Sequence, residues 1–167
     1  MLKIGLISDT HGYVHPETAR IFSDCHEIWH AGDFGSLEVI ERLEAIKPLR
    51  GVYGNIDGQP IRQRFPETLR FNCEGVDVLM THIGGYPGHY EAGVREIIRI
   101  KPPQLFISGH SHILKVMHDP ANKLLHINPG AAGISGFHLV ITMLRFTIAQ
   151  GTIKDLEVIE FPRKKQP

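Results

Sequence analysis

Five short apolar segments of this sequence end in aspartate, asparagine or histidine. The residues concerned are Asp9, His11, Asp33, Asn55, His82, His110 and His112. Aspartate and asparagine are common in turns, so turn chemistry alone would explain those three. It does not explain four histidines at such positions, whereas imidazole and carboxylate side chains together are typical ligands of divalent metals. The set as a whole therefore predicts a metal centre.

The sequence around these residues predicts that they meet in space. In open α/β sheets, ligands bind beyond the carboxyl ends of the strands, so residues far apart in sequence converge there. Side chains two positions apart in extended backbone share a face, so the Asp-x-His pair and the His-x-His pair are each expected to point into one crevice. Glycine, which allows close approach, directly precedes three of the candidates. These glycines are Gly32, Gly54 and Gly109.

The number and kind of donors indicate two metal ions. Seven ligands are too many for one tetrahedral ion, and if Asp33 bridges, each of two ions receives four protein ligands. Imidazole, carboxylate and amide donors without thiolate favour Mn²⁺, Zn²⁺, Fe²⁺ or Ni²⁺ over Ca²⁺ or Cu⁺. Two such ions with two carboxylates and a hydroxide carry a net charge of about +1, which suits an anionic substrate.

Strand and helix patterns alternate in the first two thirds of the chain. Strands are predicted at 2–8, 27–31, 49–53, 69–73, 76–81, 104–108 and 124–128, and helices at 16–23, 36–46 and 90–101. After residue 115 the helical patterns disappear. The segments 115–119, 124–128, 138–147 and 151–160 are then predicted to form a meander of successive antiparallel strands. We therefore expect one α/β domain over residues 1–162 and a basic, solvated tail at 163–167.

The composition limits the possible classes of function. The 167 residues carry 18 Lys and Arg against 18 Asp and Glu, which gives no indication of general nucleic-acid or membrane-surface binding. No segment approaches the roughly 20 apolar residues that cross a bilayer. The two cysteines form no CxxC pair, which favours a reducing compartment, so the expected location is the cytoplasm. The oligomeric state is left open.

The motif series resembles that of the calcineurin-like metallophosphoesterases. The matching motifs are Asp9-Thr10-His11, Gly32-Asp33, Gly54-Asn55, His82, Gly109-His110-Ser111-His112 and Asn128-Pro129-Gly130. Their order and spacing are most similar to the small YfcE-type phosphodiesterase branch, to which the retromer subunit Vps29 is also related. The resemblance implies a single-domain α/β fold, a four-layer α/β/β/α sandwich of the metallo-dependent phosphatase type with metals at the strand ends.

The resemblance also implies a role for each of the seven residues. One metal would be held by Asp9, His11, Asp33 and His112, and the other by Asp33, Asn55, His82 and His110. A hydroxide bridging the two divalent ions would attack phosphorus in line while both ions hold the phosphate oxygens. Mn²⁺ is the first choice of cofactor. The expected substrate is a small phosphate ester, with nucleotide-like esters included.

One position departs from the family pattern. Many members carry a histidine after Gly-Asn that protonates the leaving group, whereas this chain has Ile56. Isoleucine cannot transfer a proton, so departure must rely on a good leaving group, bound water or another residue. Two alternatives to a phosphodiesterase therefore stay open. They are a non-catalytic interaction scaffold similar to Vps29 and a phosphomonoesterase that uses the same site.

The other polar residues near these motifs receive simpler interpretations. Asp57 is interpreted as a turn residue, Ser111 as a spacer, and Arg62 and Arg64 as solvated charges. Seven further histidines are interpreted as surface or core residues, with His30 expected in the core. They are His15, His26, His30, His89, His118, His126 and His138. Residues 57–66 and 83–93 are predicted to be loops that form pocket walls.

Overall fold

The structure, a computed structural model, describes residues 1–164, which form ten strands and four short helices. The strands are β1 (Leu2–Ile7), β2 (Glu27–His30), β3 (Leu49–Gly51), β4 (Thr68–Cys73), β5 (Val76–Thr81), β6 (Leu105–Ile107), β7 (Leu114–Asp119), β8 (Leu124–Pro129), β9 (Val140–Ala149) and β10 (Thr152–Pro162). The helices are α1 (Thr18–Ile21), α2 (Leu37–Glu44), α3 (Gln59–Arg62) and α4 (Ala92–Ile100).

The strands form two five-stranded sheets. The order is β10-β9-β1-β2-β3 in the first sheet and β4-β5-β6-β8-β7 in the second. Strands β1, β2 and β3 run parallel, with Leu6 opposite Trp29. Strands β5, β6 and β8 are likewise parallel, with Met80 opposite Ile107. Because parallel strands of one sheet end at the same edge, the loops that follow them lie together.

The two sheets pack face to face, and the helices lie outside them. Alternate residues of the central strands, such as Leu6 and Met80, form one buried apolar cluster between the sheets. A second cluster, which includes Ile40 of α2, covers the outer face of the first sheet. A third, which includes Ile98 of α4, covers the outer face of the second sheet. The layers are helix, sheet, sheet and helix, which confirms the expected sandwich.

The ends of the predicted elements shift, and two predictions of local structure are wrong. Strands β7 and β8 pair within the second sheet, whereas β9 and β10 belong to the first, so the predicted meander is two separate hairpins. Strand β8 also runs parallel to β6. Alternation of apolar residues identifies a strand but does not identify the strand it pairs with. That pairing is decided by which faces of the whole sheet are buried. Helix α3, with Pro60 in its first turn, lies within the predicted loop 57–66.

The end of the chain differs in part from the solvated tail predicted for it. Strand β10 extends to Pro162, and Arg163 then donates hydrogen bonds to the carbonyls of Leu139 and Gly136. Lys164 is exposed, and the last three residues of the predicted tail lie outside the described residues. None of the helices within residues 1–164 is long and apolar enough to span a membrane.

Candidate metal centre

Six of the seven candidate ligands form two groups of donor atoms at one end of the sandwich. One group is Asp9, His11 and His112, the other is Asp33, His82 and His110, and the donor atoms of each lie within 4.8 Å of one another. The groups adjoin, since Oδ2 of Asp33 lies 3.1 Å from Nε2 of His82 and 3.4 Å from Nε2 of His11. The carboxylate of Asp33 thus contacts one histidine of each group, as a bridging ligand requires.

Both sheets contribute to each group. The aspartates follow β1 and β2 of the first sheet, whereas the histidines His82 and His110 follow β5 and β6 of the second. The His-x-His pair splits, because His110 lies with Asp33 and His112 lies with Asp9. Each group therefore connects the two sheets.

The seventh candidate, Asn55, lies in the loop after β3 and is exposed. That loop contacts the centre directly, because the backbone N–H of Ile56 donates to Oδ1 of Asp33 over 3.1 Å. The backbone next to Asn55 therefore contacts Asp33 of the second group.

Five of the candidate ligands have a left-handed backbone. Their φ angles are 54° at Asp9, 46° at His11, 60° at Asp33, 71° at His110 and 61° at His112. The Asp-x-His and His-x-His pairs are therefore not extended chain with a shared face, contrary to the prediction, although their donors do converge. Residues other than glycine rarely adopt such angles, which cost of order 1–3 kcal/mol each. Surrounding contacts must hold these loops in place.

Hydrogen bonds between loops supply part of that support. Beyond the end of the β1–β2 pairing, the N–H of Asp9 donates to the carbonyl of Gly32 over 3.0 Å, and the N–H of His11 donates to that of Asp33 over 3.1 Å. The N–H of Gly109 donates to the carbonyl of His82 over 2.9 Å. The loops are thus paired much as the strands before them are.

The three glycines that precede ligands are required by close packing, as predicted. A Cβ on Gly54 would lie 2.0 Å from Oδ1 of Asp33, and one on Gly32 would lie 2.6 Å from Nδ1 of His82. A Cβ on Gly109 would lie 3.0 Å from Oδ2 of Asp9. Only glycine leaves room for the ligand side chains at these positions.

The donor set fits a divalent metal. Oδ1 of Asp9, Nε2 of His11 and Nε2 of His82 are buried and have no hydrogen-bond partner within residues 1–164. Buried polar atoms are nearly always paired, so three unpaired donors in one cluster call for a ligand. Imidazole nitrogens and carboxylate oxygens converging in this way are the ligands that Zn²⁺, Mn²⁺ and related ions take.

The charges in the centre are coupled. Burial acts to raise the pKa of Asp9, but the adjoining rings of His11 and His112 outweigh it and hold that pKa well below its usual range. Burial likewise acts to raise the pKa of Asp33, but the adjoining His82 ring outweighs it and lowers that pKa. Asp9 in turn raises the pKa of His11. The carboxylates therefore stay ionised and attract positive charge, whether as protons on imidazole or as metal ions.

Neighbouring groups orient the ligands. Nδ1 of His82 lies 2.7 Å from the carbonyl of Ala31, so Nδ1 carries the proton and Nε2 is left free to bind a metal. The second oxygen of Asp9 accepts hydrogen bonds from the Ser8 hydroxyl at 2.7 Å and from the N–H of His110 at 3.1 Å. Only Oδ1 of Asp9 remains for a metal.

His30 lies in the core, as expected, but it also holds two of the ligand loops. Its Nδ1 accepts the N–H of Gly32 over 3.0 Å, and its Nε2 lies 2.9 Å from the hydroxyl of Thr10. Burial lowers the pKa of His30 to about 3, so the ring is neutral and Nε2 donates to Thr10. In the sequence, the feature that pointed to this role was the position of His30 two residues before Gly32-Asp33.

Asp57 has a larger role than the turn residue predicted for it. Its buried carboxylate accepts the backbone N–H groups of Phe34, Gly35 and Gly54 over 3.2, 2.9 and 2.8 Å. It thereby ties the loop after β2 to the loop after β3. The sequence shows an acidic residue here but not the two loops that converge on it.

His138 contacts a candidate ligand, which sequence reasoning missed, and Ser111 is more than the spacer predicted for it. Nδ1 of His138 lies 3.3 Å from Nδ1 of His112, and its Nε2 lies 2.7 Å from the carbonyl of Gly133. The hydroxyl of Ser111 accepts the Asn128 amide over 3.0 Å. Neither contact is visible in the local sequence, because His112 lies 26 residues from His138 and Asn128 lies 17 residues from Ser111.

Comparison with known proteins places this chain in a family. Residues 2–151 match the model of the calcineurin-like phosphoesterase superfamily domain. The chain belongs to the calcineurin-like phosphoesterase superfamily. A probable metallophosphoesterase of Methanothermobacter thermautotrophicus is 29% identical over 137 residues, which cover 78% of this chain and 77% of that protein. Family membership and the two donor groups together indicate a phosphoester hydrolase with a divalent-metal site.

Several solved structures share the fold. An archaeal phosphodiesterase has a TM-score of 0.74 at 24% identity, over 95% of this chain and 100% of that one. Vps29 from Chaetomium thermophilum has a TM-score of 0.74 at 14% identity, over 98% and 100%. Vps29 from Entamoeba histolytica, solved in complex with Zn²⁺, has a TM-score of 0.72 at 16% identity, over 98% and 100%.

The loop after β3 carries Ile56 and two arginines. Ile56 is 47% exposed and offers no proton. Arg62 is not a free solvated charge, because its guanidinium donates to the carbonyl of Asp57 over 2.6 Å and lies 4.6 Å from the ring centroid of Tyr53. Arg64 pairs with Glu44 over 2.7 Å. Both arginines are exposed, as predicted, and Arg62 in addition supports the loop.

Proposed function

We propose that this protein is a phosphodiesterase that works with two divalent metal ions. The observation that carries the proposal is the pair of adjoining donor groups with three buried, unpaired ligand atoms. Asp9, His11, Asp33 and His112 would hold one ion, and Asp33, Asn55, His82 and His110 the other. Mn²⁺ is the first choice, with Zn²⁺, Fe²⁺ and Ni²⁺ as alternatives.

Divalent ions held there would supply an activated water as nucleophile and positive charge for the phosphate oxygens. The chain itself would prepare the site for them. The Ser8 hydroxyl and the His110 N–H fix the carboxylate of Asp9, and the Ala31 carbonyl sets the tautomer of His82. Asn55 would add a neutral oxygen, which leaves the net positive charge of the centre intact.

Ile56 bears on which esters would be cleaved. A side chain without a transferable proton cannot protonate a poor leaving group, so we expect diesters with a good leaving group to be the better substrates. The archaeal phosphodiesterase with the same fold supports the choice of a diester. Small, nucleotide-like phosphodiesters are the proposed substrates, and the cytoplasmic location stays a prediction.

A non-catalytic scaffold is the second candidate. The structural neighbours that are Vps29 proteins favour it, as do the exposed apolar side chains of Val116 and Met117 on the edge strand β7. An interaction scaffold would bind a partner protein without metal-dependent turnover.

Hydrolysis of bis(4-nitrophenyl) phosphate tests the proposal, with 4-nitrophenyl phosphate as the monoester comparison. We expect turnover of the diester that depends on added Mn²⁺ and stops with chelator. Asp33→Ala and His82→Ala should reduce turnover by about a hundredfold or more, since even outer partners of metal ligands are worth roughly 10–100-fold. His118→Ala, an exposed histidine of β7, is the matched control.

Full activity in the chelated protein would contradict the proposal. Preferential cleavage of the monoester would replace the diesterase by a phosphomonoesterase. Metal binding without hydrolysis of either ester, together with capture of a partner protein, would favour the scaffold.

A further inference from the structure

A cavity of about 270 Å³ adjoins the candidate metal centre on the side of the second sheet. His110 forms part of its wall, so the cavity opens beside a proposed metal ligand. The loop after β5 contributes Ile83 and Tyr86, and the start of β7 contributes Ile113 and Lys115. A substituent on a phosphate held at the metal centre would therefore lie beside this space.

The walls of the cavity favour a flat, largely apolar group. Ile83, Ile113 and the Tyr86 ring provide apolar surface, and Nζ of Lys115 lies 3.5 Å from the Tyr86 ring centroid. Small-molecule pockets usually measure about 300–1,000 Å³ and combine apolar walls with a few polar groups. At about 270 Å³ this cavity is slightly smaller than that range, which suits one ring-bearing substituent.

The polar group of interest in this cavity is His126. Nδ1 of His126 lies 3.1 Å from the carbonyl of Phe106, and a carbonyl only accepts, so Nδ1 carries the proton. Burial lowers the pKa of His126 to about 4, which keeps the ring neutral near pH 7. Nε2 therefore presents a lone pair. It is buried and has no hydrogen-bond partner among the described residues.

An unpaired buried acceptor discriminates between ligands. A ligand N–H or O–H that reaches Nε2 of His126 gains a hydrogen bond and satisfies the acceptor. A carbonyl or nitro oxygen at the same place would bring two acceptors together and leave both unpaired. The cavity thus distinguishes ring substituents by whether they donate.

We propose that this cavity binds the ester substituent of the substrate and selects a planar ring whose amino or ring N–H group donates to Nε2 of His126. The amino-bearing nucleobases are one chemical class of this kind. The inference rests on the proposed function, because a phosphate at the metal centre is what brings the ring to the cavity.

Phosphonates that the protein cannot hydrolyse test this inference by binding alone. The probes are phenylphosphonate, 3-aminophenylphosphonate and 4-aminophenylphosphonate, titrated calorimetrically into the Zn²⁺-loaded protein. We expect one aminophenyl compound to bind roughly three- to tenfold more tightly than phenylphosphonate, because one additional hydrogen bond changes the dissociation constant by about that factor. In ¹⁵N-histidine NMR spectra of the unsubstituted protein, the Nε2 resonance of His126 should shift with that compound and not with phenylphosphonate.

Three variants locate the effect. His126→Phe keeps a ring beside Phe106 but removes the acceptor, and should abolish the preference for the amino compound. His126→Gln places an amide oxygen near the position of Nε2 and should retain it. His118→Phe changes an exposed histidine of the neighbouring strand and should leave the preference unchanged.

The outcomes separate this inference from the proposed function. Equal affinity for all three phosphonates with no shift at His126, or a preference that survives in His126→Phe, overturns the inference and leaves the function standing. Failure of every phosphonate to bind, together with no metal-dependent hydrolysis, overturns both. If His126→Phe does not fold, the NMR result on the unsubstituted protein decides.

Discussion

At the scale of single residues, the candidate centre depends on side chains that bind no metal. His30 joins Gly32 to Thr10, and Asp57 joins the loops after β2 and β3. Such contacts hold the left-handed backbone at Asp9 and Asp33, which would not persist in an isolated loop. The ligands are therefore positioned by partners from other parts of the chain.

Replacing Asp57 with alanine should weaken both the fold and metal binding. Three buried or half-buried N–H groups would lose a charged acceptor, and we expect the free energy of unfolding to fall by about 2–4 kcal/mol. Because Asp33 and Asn55 would shift, metal affinity should fall by roughly 10–100-fold. Urea unfolding in the presence of chelator measures the first effect, and calorimetric titration with Mn²⁺ the second.

Asp24→Ala is the control for that measurement. Asp24 is 53% exposed and pairs with Lys3, so its removal should change the free energy of unfolding by less than about 1 kcal/mol. If Asp57→Ala behaves like Asp24→Ala in both experiments, the loops do not depend on Asp57.

At the scale of elements, the site depends on parallel strands that end at one edge. Strands β1, β2 and β3 deliver three loops, and β5 and β6 deliver two more from the facing sheet. The loops pack so closely that a glycine must precede a ligand in three of them. The spacing between loops is therefore as important as the ligands themselves.

Gly54→Ala should disturb this packing. Its Cβ would lie 2.0 Å from Oδ1 and 2.4 Å from the backbone nitrogen of Asp33, so the carboxylate must move. We expect the free energy of unfolding to fall by about 1–3 kcal/mol, as in other overpacked sites. Mn²⁺ affinity should fall as well, and thermal unfolding with calorimetric titration measures both.

Gly93→Ala is the matched control, because a Cβ there meets no atom within 4 Å. Gly93 lies in helix α4, where alanine is favoured over glycine by about 0.5–1 kcal/mol. This variant should be as stable as the original or more so, with unchanged metal affinity. Equal behaviour of the two variants would mean that the close approach at Gly54 is not needed.

At the scale of the whole molecule, the metal centre lies where the two sheets meet. Each donor group combines residues of the first sheet with residues of the second, so bound ions would connect the two halves of the sandwich. Without ions, the ionised carboxylates of Asp9 and Asp33 attract positive charge, which raises the pKa of His82. Stability and metal content should therefore be linked.

Metal removal should lower the stability of the whole domain. A ligand at a thousand times its dissociation constant stabilises the folded state by about 4 kcal/mol per site. We expect elemental analysis to find two ions per chain and chelator to lower the melting temperature. Asp33→Ala lacks the carboxylate that we propose to bridge the ions, so added metal should change its melting temperature little. One ion per chain, or an unchanged melting temperature, would contradict a two-metal centre.

Much of the site was predictable from sequence because ligand chemistry is local. Aspartate, asparagine or histidine at the end of an apolar run, often after glycine, can be recognised in each segment separately. The contact of His138 with His112 and that of Asp57 with Phe34 were not recognisable, because these residues are 26 and 23 positions apart. The extended geometry assumed for the pairs was wrong, since left-handed turns depend on neighbouring loops.

The sequence by itself indicated which side chains are candidate metal ligands, which family they resemble, and how strands and helices alternate. These follow from residue type and from periodicity, which act over a few residues. Only the tertiary structure decided that the last hairpins belong to different sheets, that His110 and His112 lie in different donor groups, and that His126 lies at a cavity beside them. Those features depend on which faces are buried together, and burial is a property of the whole chain.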